Sequence, residues 1–217
     1  MTLVVAPELG RRERKKIQTR ELIAETARRL FAERGFDHVS IAEIARQADV
    51  SETTVFNHFS TKEDLVYWRI DTFEDELLAA IRQRTSGESI LTAFGRFVLA
   101  PRGLLAQTDP DAVEQLADLT RMLTESPALL AREQEIMARY TESLAALLAD
   151  ETRARHGDVA PWVAAIALMG VHRALLAYTR AQIVAGRRNP SLVRAVRTQG
   201  RNALATLEHG LGDYGVR

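Results

Sequence analysis

The sequence predicts an all-α protein, with three closely spaced helices near the N-terminus and a larger helical bundle behind them. Three observations support this fold class. Ala, Leu, Arg and Glu, which are good helix formers, dominate the 217 residues. The alternation of β-branched residues that is typical of strands is absent. Apolar residues instead recur at three- and four-residue spacings, in segments separated by Ser, Gly and Pro.

The first predicted helix runs from about Arg12 to Arg34 and ends at Gly35, a residue that favours helix C-termini. Its apolar stripe consists of residues at helical spacing: Leu22, Ile23, Thr26, Ala27, Leu30 and Phe31. The second helix follows Ser40, which with Glu43 forms a predicted capping box. We expect Ile41, Ile44 and Ala45 to point inward and the helix to end near residues 48–49.

A third, very short helix is expected at about Glu52–His58, with Ser51 as its N-cap. Ser60 and Glu63 predict another capping box, which opens a long helix through about Arg84. Later Gly and Pro residues delimit helices at about 88–100, 110–125, 127–153, 159–186 and 190–210. The expected organisation is a disordered tail (1–11), a helix-turn-helix domain (12–66) and a rear helical-bundle domain (67–217).

Composition narrows the class of protein. The chain is 46% hydrophobic and 27% charged, as is ordinary for a soluble globular protein. The chain has no run of 18 uninterrupted apolar residues, so a membrane span is not expected. Near the N-terminus a short apolar patch comes before the basic residues, which is the reverse of their order in a signal peptide. The absence of Cys excludes disulfides and thiolate metal sites and fits a cytoplasmic location.

Charge is unevenly spread although the formal net charge is zero. Residues 11–20 contain six basic residues and one acid, residues 71–150 contain seven Arg and fourteen acids, and residues 151–217 contain ten Arg and four acids. A basic segment on a neutral protein suggests local contact with a polyanion. The alternative is a solvated, disordered N-terminal tail.

The second and third helices are joined by the four-residue turn Ala48-Asp49-Val50-Ser51, with Val50 filling the turn. Two short capped helices at this spacing form the helix-turn-helix pattern, in which the first helix braces the second. An α-helix fits the major groove of DNA, where base edges present a readable pattern of donors and acceptors. The pattern therefore predicts binding to double-stranded DNA.

The third helix divides into an inner and an outer face. Val55 and Phe59 lie four residues apart and are expected inside. Thr53, Thr54 and Asn57 are expected outside, where Thr can hydrogen-bond or contact a thymine methyl group and Asn can pair bidentately with adenine.

Other side chains are expected to contact the DNA backbone. Phe56 and His58 can lie against the sugar-phosphate wall, and Lys62 is expected in the first turn of the next helix, close to a phosphate. Glu52 repels phosphate unless it accepts from a cytosine amino group or points away. The alternative is that Phe56, His58 and Phe59 are core aromatics, an interpretation that we favour for Phe59 alone. The predicted DNA-binding residues are Lys15, Lys16, Ser40, Ser51, Thr53, Thr54, Phe56, Asn57, His58 and Lys62.

The segment TRELIAETARRLFAERGFDHVSIAEIARQADVSETTVFNHFSTKEDL, residues 19–65, resembles the N-terminal signature of the TetR family of one-component transcriptional regulators. The match includes Phe-Ala-x-x-Gly at the end of the first helix, Gly-Phe before a Ser cap, Ile-Ala, Val-Ser, an aromatic-x-His-Phe and Lys-Glu-x-Leu. One departure is Phe56, where the family usually has a Tyr whose hydroxyl reaches a phosphate. Asn57 stands where the family often has another aromatic or polar residue, and we hypothesise that it contributes to sequence choice.

The resemblance implies that the rear domain binds a small molecule and forms a homodimer through its last two long helices, so that the dimer binds a palindromic operator. Close helix approach is favoured by small residues in the first of these helices, Ala164, Ala165, Ala167, Gly170 and Ala174. The alternative is ordinary packing within one chain. Repression is the expected mechanism, and it is relieved when the small molecule binds behind the long helix that begins at Lys62. The sequence leaves activation open.

An apolar or acyl-type effector is expected, because Leu, Ala, Met and Phe are abundant and most small-molecule sites are lined by such residues. Plain core packing is the alternative for every candidate. Arg96, Arg121 and Arg173 could meet an anionic head group or be solvated. The candidate lining residues are Trp68, Phe73, Phe94, Phe97, Met122, Met137, Tyr140, Trp162, His172 and Tyr178.

Enzymatic activity is not expected. The sequence contains no zinc-protease His-Glu-x-x-His motif, nucleophile elbow, phosphate loop or dinucleotide fingerprint. Its five His residues are scattered, so no metal or other cofactor is predicted. A helical scaffold that has lost DNA binding is a further alternative, against which the basic segment and the intact capping pattern argue.

Overall fold

The computed structural model describes residues 10–68, 71–102, 106, 110–188 and 190–211, and over these residues it contains helices and no strands. The predicted all-α fold is therefore confirmed. The helices are α1 (Arg11–Arg34), α2 (Ile41–Gln47), α3 (Glu52–His58), α4 (Asp64–Tyr67), α5 (Asp71–Arg82), α6 (Ile90–Val98), α7 (Pro110–Glu125), α8 (Pro127–Thr152), α9 (Ala160–Val184) and α10 (Ser191–Leu211).

The chain divides into two compact units after Trp68. Residues 1–9, most of the predicted tail, lie outside the described residues, and Arg11 is already the first residue of α1. The first unit contains α1 to α4 and the second contains α5 to α10. Each unit has its own apolar core.

The core of the first unit is built on the inner face of α1. Ile23, Ala27, Leu30 and Phe31 are almost fully buried, as the stripe predicts. Leu22 is 52% exposed, so its assignment to the stripe was wrong. Neighbouring helical residues point about 100° apart, and the stripe is centred on Ile23.

The segment after α3 differs from the prediction. The reciprocal hydrogen bonds of a cap join Thr61 and Asp64, not Ser60 and Glu63: the Thr61 amide donates to the Asp64 carboxylate at 3.0 Å, and the Asp64 amide donates to the Thr61 hydroxyl at 3.3 Å. Both pairs have the three-residue spacing, so spacing alone does not distinguish them. The expected long helix comprises α4 and α5, with residues 69–70 outside the described part.

In the second unit, α9 packs against both α8 and α10. Its buried face includes Ala164, Ala165, Leu168 and Met169, which are at most 1% exposed. Among the described residues, α9 is also the one helix long and apolar enough to cross a membrane, with a mean hydropathy of 1.5 over 18 residues. One side of α9 packs within the helical bundle, and the opposite side is an exposed apolar face.

An ion pair between Arg84 and Glu151 fixes the end of α5 to the end of α8. The guanidinium lies 3.0 Å from the carboxylate, and the two side chains are only 1% and 10% exposed. Arg84 also donates to the carbonyl oxygens of Ile81 at 2.8 Å and Glu88 at 3.2 Å. The charge of Arg84 is therefore buried only because several acceptors surround it.

Replacement of Glu151 by Gln tests how much this ion pair contributes to the stability of the fold. Glu151→Gln keeps the size of the side chain but leaves the Arg84 charge without a counter-charge, so we expect the free energy of unfolding to fall by about 3 kcal/mol. Urea denaturation measures the change. Glu25→Gln is the matched control, because the Glu25–Arg28 pair is exposed and its removal should cost less than about 0.5 kcal/mol. Equal effects of the two substitutions would contradict the assignment.

Candidate nucleic-acid interface

The turn between α2 and α3 is fixed by a residue in the left-handed region. Asp49 has φ 52°, its amide donates to the Arg46 carbonyl at 3.3 Å, and the Val50 amide donates to the Ala45 carbonyl at 2.9 Å. These two bonds form a Schellman motif, which satisfies carbonyls at the end of α2 and reverses the chain direction. The sequence predicted the turn but not the left-handed conformation of Asp49.

The side of α3 that faces the core is narrow. Val55 is 0% exposed and Phe59, which ends the helix, is 2% exposed, so both are inside as predicted. The Arg20 guanidinium lies 5.0 Å from the centroid of the Phe59 ring. A cation over the face of this ring brings a positive charge to the end of α3.

The opposite side of α3 is exposed. Phe56 is 52% exposed, and Thr53, Asn57 and Glu52 are also exposed. The core interpretation therefore does not apply to Phe56. A large aromatic side chain beside a hydrogen-bonding Thr and Asn is suited to contact with a surface that offers both apolar and polar groups.

Ser51 and Thr54 use their polar groups within the helix cap. The Thr54 amide donates to the Ser51 hydroxyl oxygen at 3.0 Å, and the two hydroxyls are 2.8 Å apart. Thr54 is half-buried, so the expectation that it lies fully outward was wrong. Its hydroxyl is drawn back because it shares the cap with Ser51.

Ser40 caps α2 in half of the predicted box. Its hydroxyl accepts from the Glu43 amide at 3.2 Å. The Glu43 carboxylate does not reach back to Ser40 but pairs with Arg34, and Arg46 lies 4.0 Å from it. Two guanidinium groups are stronger partners for a carboxylate than one amide.

Positive charge gathers beside α3. Lys15 and Lys16 are exposed on α1. The pKa of His58 is lowered, first by burial and then by the nearby charges of Lys16 and Arg20. The His58 Nδ1 atom is buried and has no hydrogen-bond partner. The basic segment at the start of α1 therefore lies close to the end of α3; Arg20, although part of that segment, was missing from the predicted set.

Lys62 does not lie where it was expected. It precedes α4, which begins at Asp64, instead of occupying the first turn of that helix. Its ammonium is 4.2 Å from the centroid of Phe36 and 5.9 Å from that of Phe31. Burial lowers the pKa of Lys62, an effect opposed by the carboxylates of Asp37 and Glu63. Lys62 thus packs on the core aromatics of the first unit.

Four of the candidate ligand-binding residues meet in the second unit. Phe73 stacks on His172 with centroids 4.6 Å apart and on Tyr140 at 5.5 Å, and it meets Phe97 edge-on at 5.3 Å. Burial lowers the pKa of His172 to about 4, so the ring is neutral at neutral pH. Arg102, which the sequence did not suggest, covers the Phe97 ring at 3.7 Å. We call Phe73, Phe97, Tyr140 and His172 the aromatic cluster.

The other candidates are more scattered. Phe94 and Met137 are buried, whereas Met122 and Tyr178 are half-buried. Trp162 is 44% exposed on the outer face of α9, so it does not belong to the interior of the unit. Trp68 falls in the first unit. Among the described residues, no group of three or more His, Asp or Glu is arranged to hold a metal ion.

Comparison with known proteins places these features in context. The family model described as bacterial regulatory proteins, tetR family, matches residues 23–67, which include α2, α3 and α4. The chain is 29% identical to the HTH-type transcriptional regulator TcmR of Streptomyces glaucescens over 143 residues, which cover 63% of this chain and 63% of TcmR. It is 26% identical to the transcriptional regulator MftR of Mycobacterium tuberculosis over 79% of this chain and 84% of MftR. The match thus spans less than two thirds of TcmR.

A solved structure shares the fold over most of the chain. Native NalD, the secondary repressor of the MexAB-OprM multidrug efflux pump in Pseudomonas aeruginosa, superposes with a TM-score of 0.54 and 25% identity, covering 89% of this chain and 97% of NalD. The similarity extends beyond the family-model match into the second unit.

Two Phe residues of one short segment should respond oppositely to truncation. Phe59→Ala removes a buried ring and should lower the free energy of unfolding by about 3–5 kcal/mol. Phe56→Ala should change it by less than about 0.5 kcal/mol, since an exposed ring contributes little to stability. Chemical denaturation of the two variants provides the comparison. A large decrease for Phe56→Ala would mean that its ring is part of the core after all.

Proposed function

We propose that this chain, a transcriptional regulator of the TetR family and not an enzyme, is a ligand-responsive repressor that binds a palindromic operator as a homodimer. The observation that carries the proposal is the exposed face of α3, where Thr53, Phe56 and Asn57 have no role in the core. A helix of seven residues anchored on one side presents its other side to a partner. The protein acts in the cytoplasm, where its DNA is.

The chemistry of this face fits the DNA major groove. Asn57 offers the donor and acceptor that pair with adenine, and Thr53 offers a hydroxyl and a methyl group. Lys16 and Arg20, near the end of α3, contact phosphates and fix the orientation of the helix. Phe56 packs against the sugar-phosphate wall but provides no phosphate hydrogen bond, since it lacks a hydroxyl. Lys62, held over Phe36, supports the fold of the domain more than it contacts phosphate.

Dimerisation is supported by the outer face of α9. Its exposed residues repeat at helical spacing and are almost all apolar, in what we call the α9 stripe: Val163, Ile166, Gly170, Ala174, Ala177, Ala181 and Val184. A continuous apolar stripe on a monomer usually marks an interface. Ala164 and Ala165, which were expected in the interface, are instead buried within the chain. The exposed residues of α10 are mainly polar, so α10 forms the rim and α9 the centre.

The aromatic cluster is the proposed effector site. His172 is neutral and makes no hydrogen bond or ion pair among the described residues. A neutral imidazole has one donor and one acceptor nitrogen, so His172 can exchange a hydrogen bond with a polar group of a ligand. The apolar rings around it suit an apolar or acyl effector with one polar group.

The effector acts by shifting a population. It binds one conformation of the second unit more tightly than the other, and the favoured conformation holds the two DNA-binding units at a spacing that no longer fits successive major grooves. Release of the operator relieves repression.

Asn57 is expected to determine preference at one base position. In selection from a random duplex library, Asn57→Ala should lose the preference at one position per half-site, worth about 1–3 kcal/mol, while other positions keep theirs. An unchanged sequence profile removes Asn57 from the residues that read bases.

Lys16→Gln is the matched control for this experiment. It should weaken binding to all sequences alike, because a phosphate contact carries no sequence information. It should also reduce the slope of log affinity against log salt by about 0.9 for each phosphate that the protein no longer neutralises, because fewer counterions are released. A wild-type protein with no preference among duplexes at moderate salt contradicts the proposal as a whole.

The effector is found through the bound DNA. Genomic fragments selected by the protein identify the neighbouring genes and so the class of small molecule to add back. Release of the bound DNA is the expected result, since the effector favours the conformation that fits the operator poorly.

A charge placed in the α9 stripe should prevent dimerisation. Ala174→Arg buries a guanidinium in an apolar contact between chains, and we expect a monomer in size-exclusion chromatography with light scattering, together with weaker operator binding. Ala146→Arg, at an exposed position of α8 outside the stripe, should leave the dimer intact. Dissociation by Ala146→Arg, with no effect of Ala174→Arg, would assign the interface to another face.

A further inference from the structure

A groove beside the α9 stripe has room for a ring. It lies between α8 and α9 and has a volume of about 190 Å³. Met137 is among its buried lining residues, and Leu130, Ala177 and Arg173 also line it. A cavity of about 150 Å³ is sufficient for benzene, so the groove has room for at least a six-membered aromatic ring.

The polar side of the groove is already organised. Arg180 and Glu133 form two parallel hydrogen bonds of 2.8 Å each, so their charges are paired. Arg173 lines the same groove and makes no hydrogen bond or ion pair among the described residues. A free guanidinium next to apolar surface is suited to stack on the face of an aromatic ring.

A ring of the required kind is exposed on the same helix. Trp162 is 44% exposed near the start of α9. Gly170 lies between Trp162 and the groove, and a Cβ atom at Gly170 would meet nothing within 4 Å in the chain. A glycine on an exposed apolar stripe allows a second helix to approach closely at that point.

Trp162, Gly170 and the groove are placed as expected if a two-fold axis relating two chains passes beside Gly170. Trp162 lies eight residues before Gly170, about 12 Å along the helix, and the α9 residues of the groove (173–180) are centred about 10 Å after it. Trp162 and these groove residues also lie on the same side of the stripe. Viewed down the axis of α9, both are rotated from Gly170 by about 80° in the same direction. In an antiparallel pair related by a two-fold axis, equal offsets on the same side come face to face.

We infer that the two copies of α9 cross antiparallel at Gly170 and that Trp162 of each chain inserts into the α8–α9 groove of the other, against Arg173. The inference rests on the proposed dimer and adds its register and its anchor. Since the same contact occurs twice, each dimer contains two buried Trp rings at the ends of the stripe. Aromatic residues in such pockets dominate the energy of many interfaces.

Engineered cysteines test the register without interference, because the chain contains no Cys. Gly170→Cys should form an intermolecular disulfide under mild oxidation, because the two Cα atoms meet at the crossing point. The variant should fold normally, since a side chain at position 170 meets no other atom of the same chain within 4 Å. Ala177→Cys should not, because its two copies lie about 21 Å apart along the helices and a disulfide requires Cα atoms within about 7 Å. The double variant V163C/A177C should cross-link, since these positions face each other.

Trp162 is tested by affinity and by fluorescence. Trp162→Ala should raise the dimer dissociation constant by about tenfold or more, whereas Leu22→Ala, an exposed apolar position of α1 in the first unit, should leave it unchanged. The chain has two Trp residues, so in a Trp68→Phe background the emission reports Trp162 alone. That emission should shift to the blue and resist iodide quenching as the dimer forms.

The outcomes separate the inference from the proposed function. A dimer by light scattering in which Ala177→Cys cross-links in place of Gly170→Cys, or in which Trp162 stays open to iodide, overturns this register and leaves the proposed dimer standing. A wild-type chain that is monomeric at all accessible concentrations overturns both. Cross-linking at Gly170 with a protected Trp162 supports the inference.

Discussion

The burial of Val55 and Phe59 is the contact on which the proposed DNA-binding face of α3 depends. α3 is only two turns long, and these two side chains are its inward anchors, both almost fully buried. An isolated helix of this length is unstable in water, so the anchors, the Ser51 cap and the left-handed turn at Asp49 hold it in shape. With one side fixed in the core, the opposite side is exposed by geometry. The polar and aromatic residues there are therefore free to serve recognition without a cost in stability.

The sequence predicted the helices of the first unit well because their signals are local. Ser40 and Ser51 are recognisable as caps from residues three positions away, and the structure shows the corresponding hydrogen bonds. Where two local solutions competed, the sequence could not choose. Ser60–Glu63 and Thr61–Asp64 have the same spacing, and only the packed structure selects the second pair. Lys62 lies before the helix with its ammonium on the ring of Phe36, a contact between residues far apart in sequence that no local pattern encodes.

In the second unit, the sequence could not predict which side of each helix faces the rest of the chain. Periodicity showed that α9 is apolar on more than one side but not which side faces its own chain. Ala164 and Gly170 were grouped together as small residues, yet the first is buried between helices of the bundle and the second faces outward. The aromatic cluster shows the converse. Phe73, Tyr140 and His172 were named separately as pocket candidates, and their stacking brings together three helices whose packing order no local pattern encodes.

The two perturbed His residues indicate which charges act at neutral pH. The pKa of His58 is lowered by burial and by Lys16 and Arg20, and the pKa of His172 is lowered to about 4 by burial alone. A base whose pKa falls below its unfolded value of about 6.5 favours the folded state above that pH, and this contribution is lost as the pH falls toward the folded pKa. Both rings are therefore neutral near pH 7, and the positive charge beside α3 comes from Lys and Arg alone. Contacts of Lys and Arg with phosphate release counterions, so the electrostatic part of DNA binding there is expected to weaken as ionic strength rises.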